Sequence, residues 1–147
     1  MDRGLAVGLT AIAGGFVALQ APINSMLGKQ IGTFQAAFLS FAIGTVALTL
    51  IAGLVKGGLG TVVEARHLSW YYLTGGLLGI IYVTTVLVTV RSLGAGGVVA
   101  ATITGQLTMS VLADHFGWLG VSRDPVSMLK LIGVVLLGLG TYLIVRE

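Results

Sequence analysis

The chain lacks cysteine altogether, so it can form no disulfide, no thiolate metal site and no cysteine nucleophile. It has only two histidines, His67 and His115, which cannot build a metal centre alone. It also lacks an HExxH motif, a phosphate-binding loop with Gly-Lys-Ser or Gly-Lys-Thr, and paired carboxylates inside an apolar stretch. We therefore expect no catalytic residues, no metal and no cofactor, and a protein that is not an enzyme.

Charged residues are also scarce. They make up 9% of the 147 residues, against about 25% in soluble proteins, while 56% are hydrophobic and the mean hydropathy is +1.03. The formal net charge of +3 comes from cations in the connections, a distribution that suits an anionic lipid surface. We expect membrane lipid as a partner and no nucleic acid.

Five apolar stretches occupy most of the chain: Gly4–Leu27, Thr33–Val55, Trp70–Val90, Gly94–Ala113 and Lys130–Val145. A helix needs about 20 residues to cross a bilayer, and a segment in lipid must satisfy its own backbone, which favours helices. The first stretch, of about 24 residues, is too long for the core of a signal peptide, so we expect it to be retained. The sequence predicts an all-α integral membrane protein with a single five-helix transmembrane domain, residues 1–147.

The cations in the connections indicate the orientation only weakly. One side of the predicted bundle carries five and the other three, which is nearly balanced under the positive-inside rule. An odd number of helices puts the termini on opposite faces, so two copies of opposite orientation can form an inverted dimer. The five are Arg3, Lys56, Arg66, Arg123 and Lys130, and the three are Lys29, Arg91 and Arg146. The glycine-rich connection from Lys56 to Ser69 is expected to be a mobile loop.

Two amides lie in the first stretch, on either side of a proline. Gln20 and Asn24 are four residues apart and share a helix face. Pro22 has no N–H, so a carbonyl in the preceding turn is left without its helix hydrogen bond. Amides and a freed carbonyl that face one cavity would suit a small polar ligand; the alternative is that the amides bind neighbouring helices.

Ser40 in the second stretch has a hydroxyl that by default bonds back to its own helix. Tyr82 in the third has a phenol suited to stacking on a ligand.

Polar side chains recur every four residues along the fourth stretch, beside a row of small residues. The small row, Gly97, Ala101 and Gly105, explains close helix packing, whereas the polar row needs a cavity. The polar row is Thr102, Gln106, Ser110 and Asp114. Asp114 lies about 12 Å beyond Gln106, near the membrane surface. There it is either an interfacial residue or, beside His115, a group that exchanges protons or binds a cation. In an inverted dimer Arg91 would reach the depth of the partner's Asp114 and pair with it.

Four segments together resemble a known family. They are ALQAPINSMLGKQIGTFQAAFLSFAIGT, GGLLGIIYV, GAGGVVAATITGQLTMSVLADHFGWLG and LIGVVLLGLG. They are similar to the YdcZ-type proteins, a five-helix, half-length branch of the drug/metabolite transporter superfamily, whose full-length members contain two inverted five-helix halves. The resemblance implies a multi-pass bacterial inner membrane protein that forms half of an inverted repeat and works as an antiparallel homodimer.

The resemblance also implies transport of a small molecule by alternating access. By position it places five residues in a central cavity, Gln20, Asn24, Ser40, Tyr82 and Gln106. Thr102 is added to this cavity because it belongs to the polar row. Asp114 and His115 lie at the rim of the cavity and, with Arg91, are candidates for coupling or gating. The small multidrug exporters of the superfamily use a glutamate in the first helix, and this chain has none there. We expect a dual-topology homodimeric carrier of a small polar or weakly charged metabolite. The alternatives are a passive channel and a non-transporting membrane scaffold.

Overall fold

The computed structural model describes residues 2–55 and 58–146, and every regular element in these ranges is helical. Lys56, which the orientation count includes, lies outside the described residues. The α-helices are α1 (Arg3–Ile31), α2 (Thr33–Leu54), α3 (Gly75–Phe116) and α4 (Met128–Val145). Three 3₁₀ segments lie between them, Gly58–His67, Trp70–Thr74 and Trp118–Gly120. The prediction of an all-α chain is confirmed.

The helix α3 is long enough for two membrane spans. All four α-helices are long and apolar enough to cross a bilayer, but the 42 residues of α3 correspond to about 63 Å, roughly twice the hydrocarbon thickness. The helix is interrupted at Gly94, whose φ of 67° and ψ of 171° are not helical. Glycine tolerates this positive φ because it has no Cβ. The described residues therefore form five long α-helices when α3 is divided at Gly94, and the predicted break between Val90 and Gly94 is confirmed.

The observed helix boundaries differ from the predicted ones at several places, since α1 ends at Ile31 rather than Leu27 and α3 at Phe116 rather than Ala113. The third stretch is predicted to be α-helical from Trp70, but Trp70–Thr74 is a 3₁₀ segment and α3 begins only at Gly75. The three adjacent aromatic residues there lose side-chain freedom in an α-helix, which disfavours them at this end. The helix α4 begins before Lys130, because Ser127 caps it and accepts a hydrogen bond from the Lys130 N–H at 3.3 Å. The predicted loop from Lys56 to Ser69 contains the 3₁₀ segment Gly58–His67.

A single residue, Gly32, joins α1 to α2. Its φ of 100° and ψ of 150° lie in a region that is essentially restricted to glycine. Its N–H donates to the carbonyl of Gly28 at 3.0 Å, and a Cβ at Gly32 would collide with the Gln35 side chain. The chain therefore reverses direction within one residue, and α1 and α2 pack side by side.

Replacing Gly32 with alanine is expected to lower the free energy of unfolding by about 1–3 kcal/mol, because alanine cannot adopt this backbone conformation without strain. The change is measured as a shift of the unfolding midpoint in detergent micelles. Gly53→Ala in α2 is the control, because a Cβ there meets open space and alanine is the better helix former. Equal midpoints for Gly32→Ala and the parent protein would show that the turn is not strained.

The contacts divide the chain into two compact units, one ending at Arg91 and the other beginning at Ser92. In the first unit, α1, α2 and the start of α3 pack through small and aliphatic side chains. Leu87 is the most buried of the larger side chains, at 1% exposure. A Cβ at Gly79 of α3 would stand 3.6 Å from the Phe41 ring of α2. The other buried apolar residues of this unit are Ala21, Ala36, Ala37, Val86 and Val90.

The second unit contains the end of α3 and α4. The Thr141 Oγ1 of α4 lies 2.6 Å from Thr104 Oγ1 and donates to the carbonyl of Ala100 at 3.0 Å. Hydrogen bonds of this kind hold membrane helices together where lipid provides no hydrophobic driving force. The single five-helix domain that the sequence predicts stays a prediction.

Candidate functional site

Two of the predicted site residues meet in the first unit. Asn24 of α1 is 5% exposed, and the Ser40 hydroxyl of α2 donates to its Oδ1 at 2.6 Å. The two residues stand eight positions before and eight positions after Gly32, so the turn brings them to the same level. This half of the Asn24 amide binds a neighbouring helix, as one of the two sequence interpretations predicts.

The other half of the Asn24 amide is unsatisfied. Its Nδ2 is buried and has no hydrogen-bond partner among residues 2–55 and 58–146. A buried donor left unpaired costs about 1–3 kcal/mol, and native proteins pair nearly all such groups. The other sequence interpretation, a polar ligand beside Asn24, stays a prediction, and the unpaired N–H is the group that such a ligand would meet.

Two cavities adjoin this pair, and we refer to them together as the polar groove. The larger has a volume of ≈ 200 Å³ and is lined by Gln20, Ser40 and Thr45 together with Phe41, Gly44, Leu48 and Val83. The smaller has a volume of ≈ 10 Å³ and is lined by Gln20, Asn24 and Tyr82 among aliphatic side chains. Gln20 and Val83 line both cavities. The described structure thus brings together Gln20, Asn24, Ser40 and Tyr82.

Local sequence explains why α1 presents these groups to the groove. Gln20 and Asn24 lie one helical turn apart, with the more exposed Gln20 at the junction of the cavities. Pro22 lies inside α1 and has no N–H for the carbonyl of Ala18, four residues earlier. An exposed polar backbone atom is tolerated at membrane depth only where it lines a cavity or packs against protein.

The predicted residues of the fourth stretch belong to the second unit. Thr102 is half-buried and Gln106 is exposed, both in the part of α3 that follows Gly94. Their place in one cavity with Asn24 stays a prediction. Within the second unit, the Thr104 and Thr108 hydroxyls donate to the carbonyls of Ala100 and Thr104, respectively.

Asp114 and His115 hold the connection between α3 and α4. The carbonyl of Asp114 accepts from the Asp124 N–H at 2.9 Å, and His115 Nδ1 accepts from the Val126 N–H at 3.2 Å. Arg123 Nε also donates to the carbonyl of His115 at 3.2 Å. These contacts are structural, and a coupling or gating role for the two residues stays a prediction.

Replacing His115 with alanine is expected to speed hydrogen exchange at the Val126 amide roughly threefold to tenfold, because the acceptor of its hydrogen bond is removed. Hydrogen exchange resolved to that amide measures the effect in the purified full-length protein. The matched control is His67→Ala, since His67 is exposed and accepts only from the neighbouring Arg66 side chain at 3.0 Å. Unchanged protection of Val126 would show that the imidazole does not hold the connection.

Arg91 reaches the turn between α1 and α2. Its Nη2 donates to Thr33 Oγ1 at 3.3 Å, and a Cβ at Gly28 would lie 3.5 Å from the same nitrogen. The orientation count places Lys29 and Arg91 on one side of the membrane, and the position of Arg91 beside Gly28 agrees with this. The pairing of Arg91 with the partner's Asp114 stays a prediction, and the sequence did not reveal the contact with Thr33.

Sequence reasoning also missed four residues of α2 that line the larger cavity, Phe41, Gly44, Thr45 and Leu48. The signal was weak: Ser40 and Gly44 lie four residues apart, with Phe41 and Thr45 beside them on the same face, in a helix that is otherwise apolar. The Thr45 hydroxyl donates to the carbonyl of Phe41 at 2.8 Å. This back-bonding is the behaviour expected of a hydroxyl in an apolar helix.

The apolar helices of the described residues define the class of this molecule, a multi-pass helical membrane protein in which the buried Asn24 and the half-buried Ser40 form a hydrogen bond between two helices. Residues 5–143 match the family described as "Putative inner membrane exporter, YdcZ", and the chain belongs to that family. It is thus a multi-pass inner membrane protein of an exporter family, which confirms the resemblance found in the sequence. Among curated proteins and among solved structures, none matches the chain.

Proposed function

We propose that the chain is a secondary-active carrier that exports a small polar or weakly charged metabolite by alternating access, working as a dual-topology antiparallel homodimer. Membership of the exporter family supports transport out of the cell. The near balance of five cations against three on the two predicted sides supports insertion in both orientations. In such a dimer the two copies together would supply the inverted halves that many transporters carry in one chain.

The unsatisfied Nδ2 of Asn24 is the observation that carries this proposal. Polar groups inside the membrane are costly and mark substrate pathways in transport proteins. The Asn24 amide lies eight residues before the turn at Gly32 and lines the smaller of the two cavities, which adjoins the larger one at Gln20. A protein that only scaffolds a membrane assembly has no need of a buried donor without a partner.

Efflux from vesicles tests the proposal for many solutes at once. Proteoliposomes are loaded with a mixture of small neutral, zwitterionic, anionic and cationic metabolites, and the solutes that leave are quantified by mass spectrometry. We expect one solute class to leave faster than from protein-free vesicles, with a rate that saturates with its internal concentration. Unlabelled solute outside should also exchange for isotope-labelled solute inside.

Other outcomes of this assay would contradict the carrier. A flux that rises in proportion to concentration, without exchange of label, would identify a passive channel. A flux indistinguishable from that of protein-free vesicles for every solute would identify a non-transporting scaffold.

A further inference from the structure

The geometry of the polar groove also indicates what kind of solute it accepts. We propose that the groove binds an uncharged solute through a carbonyl-type oxygen, which accepts a hydrogen bond from Asn24 Nδ2. This inference rests on the proposed transport function and specifies the solute of that same site. It is supported by the orientation of the Asn24 amide, by the absence of charge from the described lining of the groove and by the sizes of the two cavities.

The orientation of the amide fixes the hydrogen-bonding character of the solute. Because the Ser40 hydroxyl donates to Oδ1 at 2.6 Å, the oxygen side of the Asn24 amide faces α2. The nitrogen side is buried and has no partner among the described residues, and Asn24 lines the smaller cavity. An N–H is satisfied only by an acceptor, so an ammonium or any other group that only donates leaves it unpaired.

The absence of charge distinguishes a neutral acceptor from an anionic one. Within residues 2–55 and 58–146, no Asp, Glu, Lys, Arg or His lines either cavity. The Arg91 guanidinium, the nearest cation that α3 contributes to this unit, donates instead to Thr33 at the turn. A carboxylate or phosphate would enter the groove without a counter-ion, and removing an unpaired charge from water costs several kcal/mol. An uncharged carbonyl oxygen accepts the same hydrogen bond without this cost.

The cavity volumes set the size of each part of the solute. The ≈ 10 Å³ beside Asn24 holds about one water-sized group, such as a single carbonyl oxygen. The adjoining ≈ 200 Å³ accommodates the remainder and is smaller than the roughly 300–1,000 Å³ of sites for drug-sized ligands. Gln20 lines both cavities, so its amide is placed to bind the solute where it passes from one to the other.

Three probes that share one carbon skeleton test the inference: lactamide, lactate and 1-amino-2-propanol, which present a neutral acceptor, an anion and a cation. Thermal unfolding and titration calorimetry of the full-length protein in lipid nanodiscs measure their binding. We expect lactamide to raise the unfolding temperature in a saturable way at millimolar concentrations, with no saturable effect of the other two. Equal or stronger stabilisation by lactate or by the amine would overturn the inference.

Substitutions then test whether the bound oxygen lies at Asn24. Asn24→Leu removes the donor and is expected to raise the dissociation constant of lactamide about tenfold or more. Thr49→Val is the control, since Thr49 is exposed on α2 and its hydroxyl donates only to the carbonyl of Thr45. If Asn24→Leu does not fold, Ser40→Ala serves instead: it releases the amide and should weaken binding severalfold, and Ser40→Thr should restore it.

The remaining outcomes separate this inference from the proposed function. If lactamide does not bind, or binds Asn24→Leu and Ser40→Ala as tightly as the parent, the inference is wrong and a water is the partner of Nδ2. The carrier proposal survives that result if the vesicle assay shows saturable export of a charged solute. The carrier proposal itself is overturned only by the absence of saturable, exchangeable flux.

Discussion

Asn24→Asp is expected to reduce transport by more than about a hundredfold at neutral pH and to recover part of it on acidification. The ionised carboxylate still accepts the hydrogen bond from Ser40, but it offers no donor to the solute and carries a charge into a groove that no described cation lines. Uncompensated charge in such a place costs several kcal/mol, which corresponds to a loss of this size. Protonation gives a neutral acid whose O–H replaces the lost N–H donor.

Initial rates in proteoliposomes, measured over a range of pH and divided by the rates of the parent protein, test this expectation. The control is Gln30→Glu, which makes the same amide-to-acid change at an exposed position near the end of α1. It should transport like the parent at every pH. An Asn24→Asp protein that is as active as the parent at neutral pH would show that the N–H is not used in transport. One that is equally inactive at all pH values while correctly folded would show that a protonated acid does not replace the amide.

Labelling of single cysteines is expected to find the protein in both orientations. The chain contains no cysteine, so every label reports the introduced site. Leu119 lies in the connection between α3 and α4 and is 87% exposed, which makes Leu119→Cys accessible to reagents. A maleimide that cannot cross membranes should label about half of the molecules from one side of the membrane and the remainder after permeabilisation. Labelling from one side only would contradict the dual topology.

Changing the number of Lys and Arg residues on the two predicted sides of the membrane is expected to abolish transport completely. Two variants with opposite charge bias should each insert in a single orientation, and neither alone should transport, since a dimer of opposite orientations cannot form. Coexpression of the two should restore transport. The first variant is Lys29→Ser with Arg146→Ser, and the second is Arg3→Ser, Lys56→Ser and Arg66→Ser with Gln30→Lys.

A charge-preserving pair provides the control for this experiment. Lys29→Arg with Arg146→Lys keeps three cations on that side and should leave both orientation and transport unchanged. Transport by either biased variant alone would show that opposite orientations are not required.

Much of this architecture could be predicted from the sequence because the bilayer restricts the choices. Apolar stretches of spanning length must be helices in lipid, and Gly94 marks the interruption of α3 because only glycine readily adopts its φ of 67°. The 3₁₀ segment Trp70–Thr74 could not be predicted. Its aromatic and apolar residues are compatible with a membrane helix by hydropathy alone, and hydropathy does not report the local hydrogen-bonding pattern.

The groove could be predicted only as a set of residues. Asn24 and Ser40 each stood out as polar groups in apolar stretches, but their hydrogen bond depends on the register between α1 and α2. That register is set by the single-residue turn at Gly32. A helix that is apolar on nearly all faces, such as α2, gives little periodic signal of which face meets its neighbour. The contact between Arg91 and Thr33 could not be predicted either, because it also depends on which helix faces meet.

The hairpin of α1 and α2 has a mechanical consequence for any carrier cycle. Separating the two helices at the level of the groove would break the hydrogen bond from Ser40 to Asn24, and the one-residue connection at Gly32 limits how far the helices can move apart. We therefore expect α1 and α2 to move as one rigid body. The conformational change that exposes a bound solute to alternate faces of the membrane would then need hinges elsewhere in the protein.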